Sequence, residues 1–178
     1  WDGVTPDAGI MSRNLQVCLS RPGIPIVASS LRGAEIHMFE PNSMWEKERH
    51  EIAKEVSKSA LAVYVHDCAV WTKNEKKNFF VGIDEFGDLG SSLCEDKNEK
   101  LDRENPCEVD CIDLADFIIK NFKASDNVIL KIDVEGAEYE VLQGAKNTLK
   151  NYNTLINNKQ IIIEIIYGWY NNSVKSIL

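Results

Sequence analysis

One segment constrains the fold of this chain more than any other. Asn127–Ile132 is rich in β-branched residues and nearly continuously apolar, as a strand covered on both faces by helices must be. The strand is followed by the acidic turn DVEGAE at residues 133–138, after which apolar residues recur at helical spacing through Leu149. A buried strand that leads through a polar turn into a helix is typical of a parallel sheet, so the segment predicts an α/β fold.

The rest of the chain alternates between the same two patterns. The apolar periodicity predicts strands at Ala34–Phe39, Leu61–Val65, Asn78–Gly82 and Gln160–Ile166, and helices at Met44–Ser59 and Ile112–Phe122. The stretch between Glu95 and Asp110 is mostly charged, which predicts a solvated loop. Strands that alternate with helices of this length predict βαβ units and a Rossmann-like, mostly parallel, doubly wound sheet flanked by helices.

Composition excludes several classes of function. The 178 residues suit one domain, and the net charge of −8 argues against a nucleic-acid or acidic-membrane partner. No apolar run is long enough to predict a membrane span. The five cysteines show no paired CxxC spacing, which favours reduced thiols and a cytoplasmic location over a disulfide framework or a zinc site.

Acidic residues follow the predicted strands at the points where ligands bind in parallel sheets. They are Glu40, Asp67, Asp133 with Glu135 and Glu138, and Glu164. Each alone could be an ordinary loop or helix-start residue, but together they predict a carboxylate-lined pocket for a cationic, hydroxyl-rich ligand. An acid after the second strand of such a sheet is also placed to hold ribose hydroxyls, and Glu40 fits that role. The glycine fingerprint for NAD and the phosphate loop for nucleoside triphosphates are both absent.

A family resemblance rests on five landmarks in order along the chain. They are Phe39-Glu40-Pro41-Asn42, Ser91-Ser92-Leu93, Ile112-Asp113-Leu114, the block LKIDVEGAEYEVLQGA at residues 130–145, and Ile163-Glu164-Ile165. In these the chain resembles the FkbM-type methyltransferases. The resemblance implies a class I fold, S-adenosylmethionine as cofactor, and methyl transfer to an alcohol oxygen, commonly on a sugar or glycan.

The resemblance also implies roles for individual residues. The expected cofactor-binding residues are Asp2, Gly3, Glu40, Pro41, Asn42, Asp67, Cys68 and Asp133. The expected catalytic residues are Asp133, Glu135 and His66, with Asp133 as the first choice for the base, and the expected acceptor-binding residues are Glu135, Glu138, Glu164 and Trp169. No metal ligand is assigned, although Asp133 and Glu135 sharing a hard cation is an alternative.

The two ends of the chain depart from the family pattern. Trp1–Thr5 resembles the second half of the family's glycine motif, which places the first strand upstream of Trp1, and a rival alignment puts that turn at residues 7–9. Few residues follow Trp169, so the closing hairpin is also expected to be missing. We therefore expect a single domain over residues 1–178 that is part of a longer chain, with further domains such as a glycosyltransferase among the expected fusions.

Two other functions stay open at this point. A catalytically inactive Rossmann-like binding module would explain the irregular N-terminal segment. An NAD-linked oxidoreductase is the second alternative, although it lacks the glycine fingerprint.

Overall fold

A computed structural model describes residues 14–19, 34–83, 90–97, 100–123, 126–132, 134–154 and 162–165. The strands are β1 Asn14–Leu19, β2 Glu35–Phe39, β3 Ala62–His66, β4 Ala69–Trp71, β5 Glu75–Phe79, β6 Cys107–Asp113, β7 Asn127–Ile132 and β8 Ile162–Ile165. The α-helices are α1 Glu46–Val56, α2 Leu114–Asn121 and α3 Glu138–Thr154, and a 3₁₀ turn at Ser43–Trp45 precedes α1.

Five strands form a wholly parallel sheet in the order β3-β2-β1-β7-β8. The strand order changes direction at β1, because β2 and β3 lie on one side of it while β7 and β8 lie on the other. All five carboxyl ends therefore lie at one edge of the sheet. The α/β class and the strand predicted at Asn127–Ile132 are confirmed.

The strand β1 was not predicted, and it corrects the expectation that the first strand lies upstream of Trp1. Leu15 through Leu19 pair with β2, and Asn14 through Cys18 pair with β7, so β1 fills the place between them. Its sequence, NLQVCL, has polar residues at two of six positions and lacks the continuous apolar character of β7. For that reason the hydrophobic pattern did not identify it as a central strand.

Alternation along β2 divides its side chains between two hydrophobic clusters. Ile36 and Met38 join Val56 of α1 in one cluster. Phe39 belongs to the other, which also contains buried residues of α2, α3 and β7. Leu130 of β7 and Leu142 of α3 are both fully buried there. Helices thus pack against the sheet through both sets of β2 side chains.

A second sheet of three strands, in the order β4-β6-β5, was not predicted as such. It is mixed, because β4 pairs with β6 in parallel whereas β5 pairs with it in antiparallel. The prediction of a solvated loop from Glu95 to Asp110 is wrong for its second part, since β6 begins at Cys107. Leu101, within the same stretch, is only 3% exposed. The acidic residues of β6 hid the strand: Glu108 and Asp110 are exposed, and Glu108 pairs with Lys76 of β5 at 2.9 Å.

The remaining predicted elements are present with shifted ends. The helix predicted at Met44–Ser59 begins as a 3₁₀ turn, whose N-cap Asn42 accepts a hydrogen bond from Met44 N, and its α-helical part ends at Val56. The helix predicted from Ile112 begins two residues later, because Asp113 ends β6 and caps α2 through bonds from the N–H groups of Ala115 and Asp116. The predicted edge strand starts earlier than expected, as β5 at Glu75, and it does lie at a sheet edge.

Candidate functional site

The ends of β2 and β3 bring two of the predicted acidic residues to the same edge of the sheet. Phe39 and His66 are register partners, so Glu40 and Asp67 follow neighbouring strand ends. The N–H of Glu40 donates to the carbonyl of His66 at 3.1 Å, which continues the pairing one residue past β2. The parallel arrangement thus places both carboxylates where ligands of such sheets bind.

The segment Glu40–Asn42 forms a compact turn between β2 and α1. Oε1 of Glu40 accepts a hydrogen bond from the N–H of Asn42 at 2.8 Å. Asn42 is 4% exposed, and its Oδ1 accepts from Met44 N at 3.0 Å. Pro41 between them ends the strand pairing because it has no N–H to donate. The turn fixes the backbone from which the Glu40 side chain extends.

Arg49 of α1 is a central residue of this site that the sequence analysis did not identify. It is 6% exposed, and its Nη1 donates to the carbonyl of Glu40 at 2.6 Å and to that of Asn42 at 3.1 Å. Its Nη2 pairs with Oδ1 of Asp67 at 2.9 Å. A signal was present in the sequence, since Arg49 lies on the apolar stripe of the helix between Trp45 and Ile52.

His66, a predicted catalytic residue, lies beneath this edge in a cluster of aromatic rings. Its Nε2 is 3.0 Å from Nδ1 of His37, and its ring stacks on Phe39 with centroids 4.4 Å apart. Burial lowers the pKa of His66 below its usual value, against the opposing effect of Asp67. Burial, with a smaller contribution from His66, lowers the pKa of His37 to about 4. Both imidazoles are therefore neutral at pH 7.

Cys68 follows Asp67 and packs against the larger hydrophobic cluster. Burial raises the pKa of its thiol to about 11, with smaller contributions from Cys111, Asp110 and Asp67. Cys68 is therefore a protonated thiol at pH 7, which suits packing against a ligand and does not suit nucleophilic chemistry.

The turn after β7 contains two more of the predicted residues. Glu135 has a φ of 51° and Gly136 a φ of 98°, so two successive residues adopt the left-handed conformation. The carboxylate of Glu138 accepts hydrogen bonds from Val134 N at 3.2 Å and from Gly136 N at 3.0 Å. Glu138 thus stabilises the turn at the start of α3, which is a structural use of a residue predicted to bind the acceptor.

The segment around Ser92 holds this turn from the other side. Ser92 is 1% exposed, and its hydroxyl donates to the carbonyl of Glu135 at 2.7 Å while accepting from Cys94 N at 2.9 Å. Lys97 forms an ion pair with the Glu135 carboxylate, and both side chains are about four-fifths buried. Ser92 belongs to one of the family landmarks in the sequence, whereas a role for Lys97 was not predicted.

The other predicted site residues are placed only in part. Asp2, Gly3, Asp133 and Trp169 lie outside the described residues. Glu164 lies in β8 as the register partner of Lys131. The structure therefore joins Glu40 and Asp67 through Arg49, and places Glu135 and Glu138 together after β7, with β1 separating β2 from β7.

The described residues contain neither a cluster of metal-ligating side chains nor a membrane-spanning helix. None of their groups of three or more His, Cys, Asp or Glu side chains is arranged to hold a metal ion. None of the helices in this part of the chain is long and apolar enough to cross a membrane.

Comparison with known proteins identifies the family. Residues 25–177 match the family model described as the methyltransferase FkbM domain. None of the curated proteins compared with the sequence matches it. Among solved structures, the chain is similar to methyltransferase FkbM from Methylobacillus flagellatus KT, at 16% identity and a TM-score of 0.47. That similarity covers 80% of this chain and 31% of the other, so the chain spans about a third of that protein.

Proposed function

This chain belongs to the FkbM methyltransferase family, and on that premise we propose that it is an S-adenosylmethionine-dependent O-methyltransferase that acts on a hydroxyl of a sugar or glycan. The observation that carries the proposal is the pair of carboxylates at neighbouring strand ends. Glu40 and Asp67 follow β2 and β3 of a parallel sheet, with Arg49 between them. Acidic side chains at this edge suit a ligand that presents hydroxyls and a positive charge.

The strand order supports a class I methyltransferase core within the proposal. The order β3-β2-β1-β7-β8 changes direction at β1, and ligands of open α/β sheets bind beside such a point. Helices pack through both sets of β2 side chains. We therefore assign the parallel sheet as the doubly wound, Rossmann-like core and the mixed sheet β4-β6-β5 as an addition to it.

The cofactor side of the site is assigned to the β2 and β3 ends. A carboxylate can accept several hydrogen bonds, so the bond from Asn42 N to Glu40 is compatible with a ligand role for the same side chain. Glu40 accepts the ribose hydroxyls, with Pro41 and Asn42 shaping the turn, and Asp67 and Cys68 contact the adenine. Asp2, Gly3 and Asp133 complete the assignment as proposals from the family pattern.

The acceptor side is assigned to the ends of β7 and β8. Glu135, Glu138, Glu164 and Trp169 form this set. The pairing with Lys97 gives the Glu135 site both a hydrogen-bond acceptor and a cationic donor, which suits the mixed donor and acceptor groups of a polyol. Tyr139, at the start of α3, is 47% exposed and adds an aromatic ring to the same helix end.

The chain's residues have three tasks in such a reaction. S-adenosylmethionine, when bound, would supply an electrophilic methyl group: the alcohol oxygen would bond to the methyl carbon in line as the carbon–sulfur bond breaks and S-adenosylhomocysteine leaves. The protein orients the hydroxyl, excludes water and receives the hydroxyl proton. We assign Asp133 as the base that accepts the hydroxyl proton, with Glu135 as the second candidate. His66 is neutral and so chemically able to accept a proton, but its Nε2 is already 3.0 Å from His37.

Calorimetric titration followed by a transfer assay tests the proposal. S-adenosylmethionine is expected to bind with one site per chain and NAD is not. A radiolabelled methyl group is then expected to reach a member of a sugar panel, with Asp133→Asn abolishing transfer while cofactor affinity is kept. NAD binding in place of S-adenosylmethionine would instead indicate an oxidoreductase. Binding of neither ligand would indicate a module without a cofactor site.

A further inference from the structure

We propose that Arg49 is a positioning residue for the cofactor, which sets the direction of the Glu40 carboxylate by holding the ends of β2 and β3 together. The inference rests on the proposed function, because it takes Glu40 as the residue that accepts the ribose hydroxyls. It adds a residue that lies on a helix, outside the strand ends and the acidic turn from which the site was predicted.

Among the described residues, the hydrogen bonds and the ion pair of Arg49 go to the segments that follow β2 and β3. Nη1 donates to the carbonyls of Glu40 and Asn42, the two residues that flank Pro41. Nη2 pairs with the carboxylate of Asp67 at 2.9 Å. One side chain from α1 therefore links the turn after β2 to the first residue after β3.

The burial of Arg49 shows that this link is maintained although removing a guanidinium from water costs free energy. The Arg49 side chain is only 7% exposed, whereas that of Asp67 is 66% exposed. A buried guanidinium is tolerated where most of its hydrogen bonds and its charge are compensated. Two carbonyls and one carboxylate bind Nη1 and Nη2, whereas the buried Nε has no hydrogen-bond partner among the described residues. A leucine or isoleucine at position 49 would bury more favourably on the apolar stripe of the helix. The arginine is therefore explained by its polar contacts and not by apolar packing.

The geometry requires the guanidinium fork. Two nitrogens of one planar group reach three acceptors on two strands. A lysine ammonium is a single point donor, and it cannot hold the Glu40 carbonyl and the Asp67 carboxylate in the same arrangement. Arg49→Lys therefore keeps the positive charge and loses the link.

The consequence for binding is specific to the ribose. The Glu40 carbonyl accepts from Arg49 while the Glu40 carboxylate accepts from Asn42 N, so both the backbone and the side chain of Glu40 are held. Loosening the carbonyl misdirects the carboxylate, which weakens bonds to the ribose hydroxyls. Any change in a contact between Asp67 and the adenine affects ligands with and without those hydroxyls alike. Arg49 therefore acts through Glu40 and has no direct contact with the ligand.

The test compares adenosine with 2′,3′-dideoxyadenosine, which lacks the 2′ and 3′ hydroxyls that Glu40 is proposed to bind. The wild-type chain is expected to bind adenosine at least about tenfold more tightly than 2′,3′-dideoxyadenosine, because hydrogen bonds to a charged carboxylate contribute that much. In Arg49→Lys this ratio of Kd values is expected to fall towards one. General destabilisation of the fold would weaken both ligands alike and would leave the ratio unchanged.

Two further variants keep the result interpretable. Lys54→Met removes an exposed cation from the same helix and is expected to keep the wild-type ratio. If Arg49→Lys does not fold, Asp67→Asn replaces the exposed charged partner of Arg49 and is expected to lower the ratio as well. A direct contact of Asp67 with adenine would affect both ligands equally, so a changed ratio reports on the link.

The two proposals fail in different ways. The role of Arg49 alone would be overturned if the wild-type chain binds S-adenosylmethionine and Arg49→Lys keeps the wild-type preference for adenosine. If Arg49→Lys does not fold, an unchanged preference in Asp67→Asn has the same meaning. A wild-type chain that binds neither S-adenosylmethionine nor adenosine would overturn the proposed function on which it rests. Loss of the preference in Glu40→Gln, with no further loss in the Glu40→Gln, Arg49→Lys double variant, would support action through Glu40.

Discussion

His37 makes the stability of this fold sensitive to acid, and His37→Phe is the change that isolates the effect. The imidazole is 5% exposed and stacks on Tyr64 with ring centroids 4.6 Å apart. Its titratable neighbours include His66, at 3.0 Å from Nδ1, and Glu35, at 3.7 Å from Nε2. Phenylalanine fits the same aromatic surroundings and cannot take a proton.

The size of the effect follows from the lowered pKa. The pKa of His37 is about 4 in the folded chain, against 6.5 for the solvent-exposed imidazole of the unfolded chain, so the unfolded state binds more protons as pH falls below 6.5. The contribution of the neutral His37 ring to the free energy of unfolding is fully present above pH 6.5 and is lost as the pH falls towards 4. Between pH 7.5 and pH 5 the linkage amounts to about 2 kcal/mol.

Urea unfolding followed by circular dichroism measures this difference. The free energy of unfolding of the wild-type chain is expected to fall by about 2 kcal/mol more than that of His37→Phe over this pH range. Carboxylates and His66 titrate in both proteins, so their contribution largely cancels in the comparison. Parallel pH dependences for the two proteins would refute a neutral, desolvated His37.

Three further changes test local features of the fold. Gly136→Ala is expected to destabilise the chain by about 1 kcal/mol or more, because φ is 98° and the new Cβ would lie 3.2 Å from Lys97 Cγ; equal urea midpoints would contradict this. Asp113→Ala is expected to lower the stability of the chain by about 1 kcal/mol through loss of the α2 cap, while Asp113→Asn keeps most of the stabilisation by the cap. Equal losses of stability for the two variants in thermal unfolding would count against the cap. Gly144→Ala is expected to lower the melting temperature despite the higher helix propensity of alanine, because its Cβ would lie 2.9 Å from Thr72 Cγ2. Adding Thr72→Gly to this variant should remove the close contact and restore stability. A rise in melting temperature from Gly144→Ala alone would show that the contact is relaxed.

The sequence predicted the buried half of this fold well. The strand β7 and the helix after it carry continuous or helically spaced apolar residues, since both are covered by other elements, and this pattern is visible without the structure. Glu40 and Asp67 could be placed at one edge because parallel strands end together. These predictions depended only on periodicity and on the direction of parallel strands.

The parts that were missed depend on pairing between distant segments. The strand β1 contains polar residues and gains its central place only by pairing with β2 and β7. The strand β6 carries the exposed acidic residues Glu108 and Asp110, which pair with Lys76 of β5, so its charge pattern resembled that of a loop. Lys97 could not be placed because nothing in its local sequence shows that it meets Glu135, which lies 38 residues further along the chain.

The central claim is that this chain transfers a methyl group to an oxygen atom. Incubating it with methyl-labelled S-adenosylmethionine and a panel of sugars, and then identifying the labelled product by mass spectrometry and NMR, tests this claim most directly. We predict an O-methyl ether on one acceptor, formed with one equivalent of S-adenosylhomocysteine, and lost in Glu40→Gln at limiting cofactor. Tight binding of the cofactor with no labelled acceptor, or a label found on nitrogen or carbon, would contradict it.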